Sequence, residues 1–174
     1  MVGDAAGRAL VTGAGRRLGR AMALYLARRG HDVAVHYAGS AEAAEAVAEE
    51  IRATGRRAVT LRADLLIEAE TQALGPAAAE ALGGPLTVLV NNASIFEHDT
   101  LPTATRESWD RHIESNLRAP FVLTQALAAS APDPVPDSRG EPVAQALVVN
   151  MIDQRVRKLT PAFMSYTIAK MGLW

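Results

Sequence analysis

Ala9-Leu10-Val11-Thr12-Gly13-Ala14-Gly15-Arg16-Arg17-Leu18-Gly19 decides the fold. An apolar run breaks into a glycine-rich turn, and a helical pattern follows at once. Leu18 to Arg29 reads as that helix, with Leu18, Met22, Tyr25 and Leu26 on one face and Gly30 as its stop. Glycines let the backbone turn tightly and approach a pyrophosphate closely. The helix start adds free N–H groups and the positive end of a dipole. Gly13, Gly15, Arg16, Arg17, Leu18 and Gly19 are therefore candidate dinucleotide contacts. The spacing is not G-x-G-x-x-G, because the last glycine comes one residue late.

Outward from this turn, strand-like and helix-like stretches alternate. Val33 to Tyr37 is a second strand, and Ser40 is placed to cap a helix running to about Thr54. Ala58 to Arg62 is a third strand, followed by a helix from Ile67 to Leu82. Leu86 to Val90 is a fourth, ending at Asn91-Asn92, before a long helix from Arg106 to Ser130. The proline-bearing stretch Ala131 to Pro142 reads as an exposed loop. Ala146 to Asn150 is a fifth strand, and the last helix starts near Ala162. Such alternation predicts an α/β Rossmann-like, doubly wound parallel sheet, as one dinucleotide-binding domain over 1–174. Ligands of such sheets bind beyond the carboxyl ends of the strands.

Composition narrows the function. The 174 residues carry a net charge of −1, with 49% apolar and 21% charged residues. Neither nucleic acid nor an anionic membrane is expected as a partner. Cysteine is absent, which excludes disulfides and thiol chemistry. No metal-ligand pattern stands out. Met1 to Ala5 lacks a leader-like profile, and no apolar run approaches a membrane span, so a cytoplasmic location is expected.

The second strand bears on cofactor choice. An NAD site places Asp or Glu at that strand's end to hold the ribose hydroxyls. Here the end reads His36-Tyr37-Ala38-Gly39-Ser40, and the acid Asp32 lies at the other end. No acid there repels a 2′-phosphate and Arg16 is near, so NADPH is expected in preference to NADH.

The first turn resembles the T-G-x-x-x-G-[IL]-G turn of the short-chain dehydrogenase/reductase family, with Arg17 in place of the middle glycine. Arg16-Arg17 is similar to a basic pair in the pteridine reductase branch. The resemblance covers Leu10 to Lys170. It implies that His36, Tyr37, Ser40, Asp64, Leu65, Asn91, Ala93 and Ser94 lie beside the cofactor, with Asp64 against its adenine. It also implies that Tyr166 and Lys170 are the active-site pair and cofactor contacts as well, with Lys170 on the ribose, and Asn116 the active-site asparagine. Family members are often tetramers, so a homo-oligomer is expected.

Tyr166 and Lys170 are four residues apart, so on a helix they share a face about 6 Å apart along the axis. A nearby ammonium is expected to lower the phenol pKa and ready Tyr166 to deliver a proton. Pro120 lacks the N–H that would bond the Asn116 carbonyl. That carbonyl is therefore expected to hold a water toward Lys170.

Asp153 stands where most of the family has a serine, thirteen residues before Tyr166. A carboxylate only accepts hydrogen bonds, and beside a ketone gaining negative charge it would oppose reaction. It suits a substrate that offers N–H donors. The same Asp-then-Tyr order, with Ser94 and a pterin-stacking Phe96, resembles the pteridine reductases. Arg17, Ser94, Phe96, Asp153 and Tyr166 are then substrate contacts, and a pterin or dihydrofolate-like C=N bond is the expected substrate. Two alternatives stay open: a generic carbonyl or 3-oxoacyl reductase, and a nucleotide-binding sensor without turnover. Family members continue past this last helix, so a chain truncated after it is expected.

Overall fold

The computed structural model describes residues 7–174. Residues 1–6, which include the stretch read above as lacking a leader-like profile, lie outside the described residues. The strands β1 (Arg8–Val11), β2 (Asp32–Tyr37), β3 (Ala58–Arg62), β4 (Val88–Asn91) and, after the two-residue strands β5 (Val135–Pro136) and β6 (Pro142–Val143), β7 (Leu147–Asn150) include five that form one parallel sheet. Their order in it is β3-β2-β1-β4-β7. The helices between them are α1 (Arg17–Arg28), α2 (Ala41–Ala53), α3 (Glu68–Leu82), α4 (Arg106–Ile113) and α5 (Ala119–Ser130), and α6 (Met164–Leu173) follows the last strand. The strand order reverses between β1 and β4, which opens the crevice where ligands of such sheets sit.

Two cores flank the sheet. One packs α1 and α2 on Val11, Val33, Val35 and Val90; the other packs α3 and α5 on Leu10, Ala34 and Leu89. Adjacent strand residues thus point to opposite faces, as the strand period of two requires. Both faces are covered, so the strands are apolar throughout rather than alternating.

Three expectations need correction. The buried stripe of α1 is Gly19, Ala23 and Ala27, while Leu18 and Tyr25 are exposed. Only small residues fit, because a Cβ on Gly19 would lie 2.3 Å from the Gly13 carbonyl. The long helix is not continuous: a π-helical turn at Glu114–Arg118 separates α4 from α5. Pro120, lacking an N–H, sits just after that turn, and a widened turn accommodates the missing donor. The stretch after α5 is not all loop, since β5 (Val135–Pro136) and β6 (Pro142–Val143) form a short antiparallel hairpin. Among the described residues no helix is long and apolar enough to cross a membrane.

Candidate active site

Beyond the carboxyl ends of β1, β2, β3 and β4 lies a cleft of about 600 Å³. Its floor is the first turn. Gly13 has φ +63°, a left-handed conformation that disfavours any side chain. Thr12 holds this turn to the β4 exit: its hydroxyl accepts from the N–H groups of Asn92 and Ala93, each at 2.9 Å. The Asn92 amide in turn donates to the carbonyls of Thr12 and Gly13 at 2.8 and 3.2 Å. Arg16, Arg17 and Leu18 line one wall, and Asp64, Leu65 and Ser94 contribute elsewhere. Arg17 has φ +49°, so an arginine holds the left-handed conformation at a position where a glycine would be relaxed.

The expected cofactor contacts divide. Gly13, Arg16, Arg17, Leu18, Gly19, His36, Asp64, Leu65, Ala93 and Ser94 all line the cleft. Gly15, Tyr37, Ser40, Asn91, Tyr166 and Lys170 do not. Ser40 precedes α2 at the cap position, but its hydroxyl makes no capping bond. Asn91 is buried and donates to the Asn150 side chain at 2.8 Å, tying β4 to β7. Asn92, not expected as a contact, is the asparagine that lines the cleft. Asp32 is spent far from it, accepting from the Arg57 N–H at 2.9 Å and pairing with Arg56 at 2.8 Å.

Asp153, Tyr166 and Lys170 meet at the carboxyl end of β7. The Tyr166 hydroxyl donates to one oxygen of Asp153 at 3.1 Å. The other oxygen accepts from the Arg155 N–H at 2.8 Å, so a tight turn fixes the carboxylate. Lys170, 3% exposed, donates to the Met151 carbonyl at 2.8 Å, and its nitrogen lies 5.8 Å from the Tyr166 ring centre.

The electrostatics reverse one expectation. Burial, then the charge and hydrogen-bond acceptance of Asp153, push the Tyr166 phenol up to about 12; Ser94 and Arg155 pull the other way. The ammonium of Lys170 was expected to lower it. Instead the nearest charge is a carboxylate, and it holds the phenol protonated. Burial also lowers the pKa of Lys170, against the opposing pull of Asp153.

Asn116 is fully buried in the π-helical turn. Its side-chain oxygen accepts from the Ile95 N–H at 2.9 Å and the Ser94 hydroxyl at 3.1 Å, and its nitrogen donates to the Ile95 carbonyl at 2.8 Å. It therefore holds the segment carrying Ser94 and Phe96. Lys170 bonds the Met151 carbonyl, so the geometry gives its ammonium a main-chain partner other than the Asn116 carbonyl.

Phe96 is half-exposed beside this group, 4.7 Å from the Tyr166 ring and edge-on. One face is already covered: the Phe163 ring stacks on it at 4.1 Å and 6°. The Arg155 guanidinium lies 4.6 Å from the Phe163 ring centre. Phe163 is the second non-glycine residue with positive φ, at +60°. Nothing in its sequence context signalled that role, because its partner is 67 positions away. Asp99 was missed for the same reason. Its carboxylate accepts from the Ser165 N–H at 3.1 Å and its carbonyl from the Phe163 N–H at 2.7 Å, so it caps the helix bearing Tyr166. Burial pushes the Asp99 carboxyl up, but hydrogen bonding from Ser165 and Ser108 and the nearby His112 bring it below its ordinary value.

The sequence pattern of the short chain dehydrogenases matches residues 8–173. The 3-oxoacyl-acyl-carrier-protein reductase FabG of Staphylococcus aureus is 44% identical over 117 residues, which is 67% of this chain and 47% of that protein. Among solved structures, the FolM alternative dihydrofolate reductase 1 from Brucella canis, complexed with NADP, is 38% identical with a TM-score of 0.86. That match covers 97% of this chain and 64% of the other. The landomycin C-6 ketoreductase LanV, with bound NADP and rabelomycin, is 34% identical with a TM-score of 0.80, covering 96% of this chain and 64% of that one. The chain spans about half the length of the curated relatives it matches.

Proposed function

The chain belongs to the short chain dehydrogenase family, and from that premise we propose that it is an NADPH-dependent reductase of a pterin or dihydrofolate-like C=N bond. The carrying observation is the Asp153 carboxylate 3.1 Å from the Tyr166 hydroxyl. The first turn fits a dinucleotide: its left-handed Gly13 has no side chain to bar close approach, and the turn opens into a cleft large enough for one. A reduced nicotinamide, when bound, supplies hydride. The carboxyl ends of β1 and β4 place that cleft next to Ser94, which also bears on Tyr166.

This chain's residues then do the following. Asp153 is an acceptor with about four lone-pair sites, only two of them engaged here, so it can take N–H groups of an amino-pyrimidine ring. Phe96 offers a flat apolar face for the same ring once Phe163 moves aside. Tyr166 keeps its proton until the substrate is in place, because its pKa is high. Hydride addition to C=N leaves a nitrogen more basic than an alkoxide, so a reluctant acid suffices to protonate it. Lys170 holds the β7 exit through Met151. The same proposal includes a homo-oligomer, to be read from its mass in solution.

The FabG likeness favours a second reading, reduction of a ketone or 3-oxoacyl thioester. NADPH oxidation measured side by side with dihydrobiopterin, dihydrofolate and a small ketone separates the two. The pterin reading expects turnover of the first two and little of the third. Strong ketone turnover by the unmodified protein, not increased by Asp153→Ser, overturns it. No turnover of any of the three, with NADP⁺ still bound, points to a sensor.

A further inference from the structure

His36, the penultimate residue of β2, has both ring nitrogens engaged by main chain. The Gly13 N–H donates to Nδ1 at 3.0 Å, and Nε2 meets the Ala63 carbonyl at 3.0 Å. A carbonyl only accepts, so the proton sits on Nε2, and Nδ1 is free to accept from Gly13. One neutral tautomer therefore satisfies both bonds, and no charged form can. The His36 carbonyl adds a third link, accepting from the Ala14 N–H at 2.9 Å. The ring is 1% exposed. Gly13 belongs to the phosphate-facing turn, and Ala63 immediately precedes Asp64 on the opposite wall of the same cleft. His36 was expected as a cofactor contact, yet its polar atoms are fully used inside the protein.

We propose that His36 is a positioning residue for the dinucleotide turn: its neutral ring ties Gly13 to the end of β3, and protonation releases the turn and weakens dinucleotide binding in acid. This rests on the cofactor reading above. Protonated Nδ1 would face the Gly13 N–H donor to donor, and the remaining hold on Gly13 is the longer bond from the Asn92 amide to its carbonyl at 3.2 Å. The charged groups around the ring are few. Arg16 and Arg17 on the turn and Asp64 after β3 line the same cleft, and Glu70 of α3 bonds the Asp64 N–H at 2.6 Å. On β2 itself Tyr37 is adjacent and Asp32 lies at the far end. None of these supplies a close carboxylate for an imidazolium. Burial, opposed by the bond to Ala63, lowers the His36 pKa from its ordinary value. A histidine with a lowered folded pKa contributes stability that is complete above about 6.5 and is lost as pH falls.

The test uses the unmodified protein and His36→Asn, which keeps an acceptor but cannot titrate. NAD⁺ and NADP⁺ dissociation constants are measured by calorimetry from pH 8 downward; NAD⁺ lacks the 2′-phosphate, which itself titrates near ~6. In parallel, nitrogen-edited NMR of the histidine rings reads the tautomer and midpoint of His36. The expected result is an Nε2–H ring with a midpoint below that of a free imidazole. Below that midpoint NAD⁺ affinity falls about tenfold per pH unit, and the asparagine variant loses this dependence. The proposal is overturned by an Nδ1–H tautomer, by a ring that stays neutral until the protein unfolds, or by NAD⁺ affinity that does not follow the ring. Absence of NADP⁺ binding at neutral pH, with the NMR tautomer as expected, would instead sink the cofactor reading.

Discussion

The first-turn cleft and the Asp153–Tyr166 corner are built in opposite ways. The cleft is made of main chain: the N–H of Ala14 is held by the His36 carbonyl, the N–H groups of Gly13, Asn92 and Ala93 by the side chains of His36 and Thr12, and the Asn92 side chain locks the Thr12 and Gly13 carbonyls. The corner is made of side chains from three separate segments, meeting through Asp153, Tyr166, Phe96 and Phe163. A backbone site tolerates no added atoms, since nothing in it can rotate away. A side-chain site tolerates change in shape but depends on the charge of each member. Substitutions should therefore act on binding in the first region and on turnover or titration in the second.

The largest expected effect tests that split directly. Tyr166→Phe should lower turnover by about 10²–10⁴-fold, while NADP⁺ affinity stays within about twofold, measured by single-turnover kinetics and calorimetry. A parallel loss of affinity would show that the two regions are not separable. Gly19→Ala should do the converse. Its Cβ would meet the Gly13 carbonyl at 2.3 Å and the Ala14 Cα at 3.0 Å, contacts that only backbone movement relieves. A loss of about 1–3 kcal/mol is expected, from strain in a packed site, read as lowered thermal stability together with weakened NADP⁺ binding.

Asp153→Asn sharpens the second half. With the carboxylate gone, the Tyr166 pKa should fall from about 12 toward the ordinary phenol value, measured by ultraviolet titration against Tyr166→Phe. In the native protein the raised pKa means a stability contribution complete below about 10 that is lost as pH rises through about 12. An unchanged midpoint would show that burial alone sets it. Asp99→Ala should cost about 1 kcal/mol by uncapping α6, with Tyr166 turnover falling more than NADP⁺ affinity. The smallest effect belongs to neither region: Arg20→Ala removes an exposed pair with Glu50 and should change stability by under about 0.5 kcal/mol in chemical denaturation.

Phe163 shows how the corner differs from what its residues suggest singly. Phe96 was legible as a flat surface for a ring, but not as one already covered. A stack of this kind contributes about 0.5–1.5 kcal/mol beyond its buried area. That gain helps hold Phe163 in the left-handed conformation, so strain and stacking offset each other at the mouth of the corner. The small residues of α1 teach the same lesson in the cleft. Its apolar periodicity pointed to Leu18 and Tyr25, whereas the sheet accepts the helix along Gly19, Ala23 and Ala27 because close approach excludes larger groups.

Chain order alone determined the parallel sheet, the glycine turn after β1 and the i,i+4 pairing of Tyr166 with Lys170, because these follow from local periodicity and from the stereochemistry of neighbouring residues. The tertiary structure decided the rest. It turned His36 inward, gave Asn91 to β7 and Asn92 to the cleft, capped α6 with Asp99, and raised rather than lowered the Tyr166 pKa. Each of those outcomes depends on burial and on partners 13 to 80 positions away, and a linear pattern carries no record of which distant groups share a low-dielectric space.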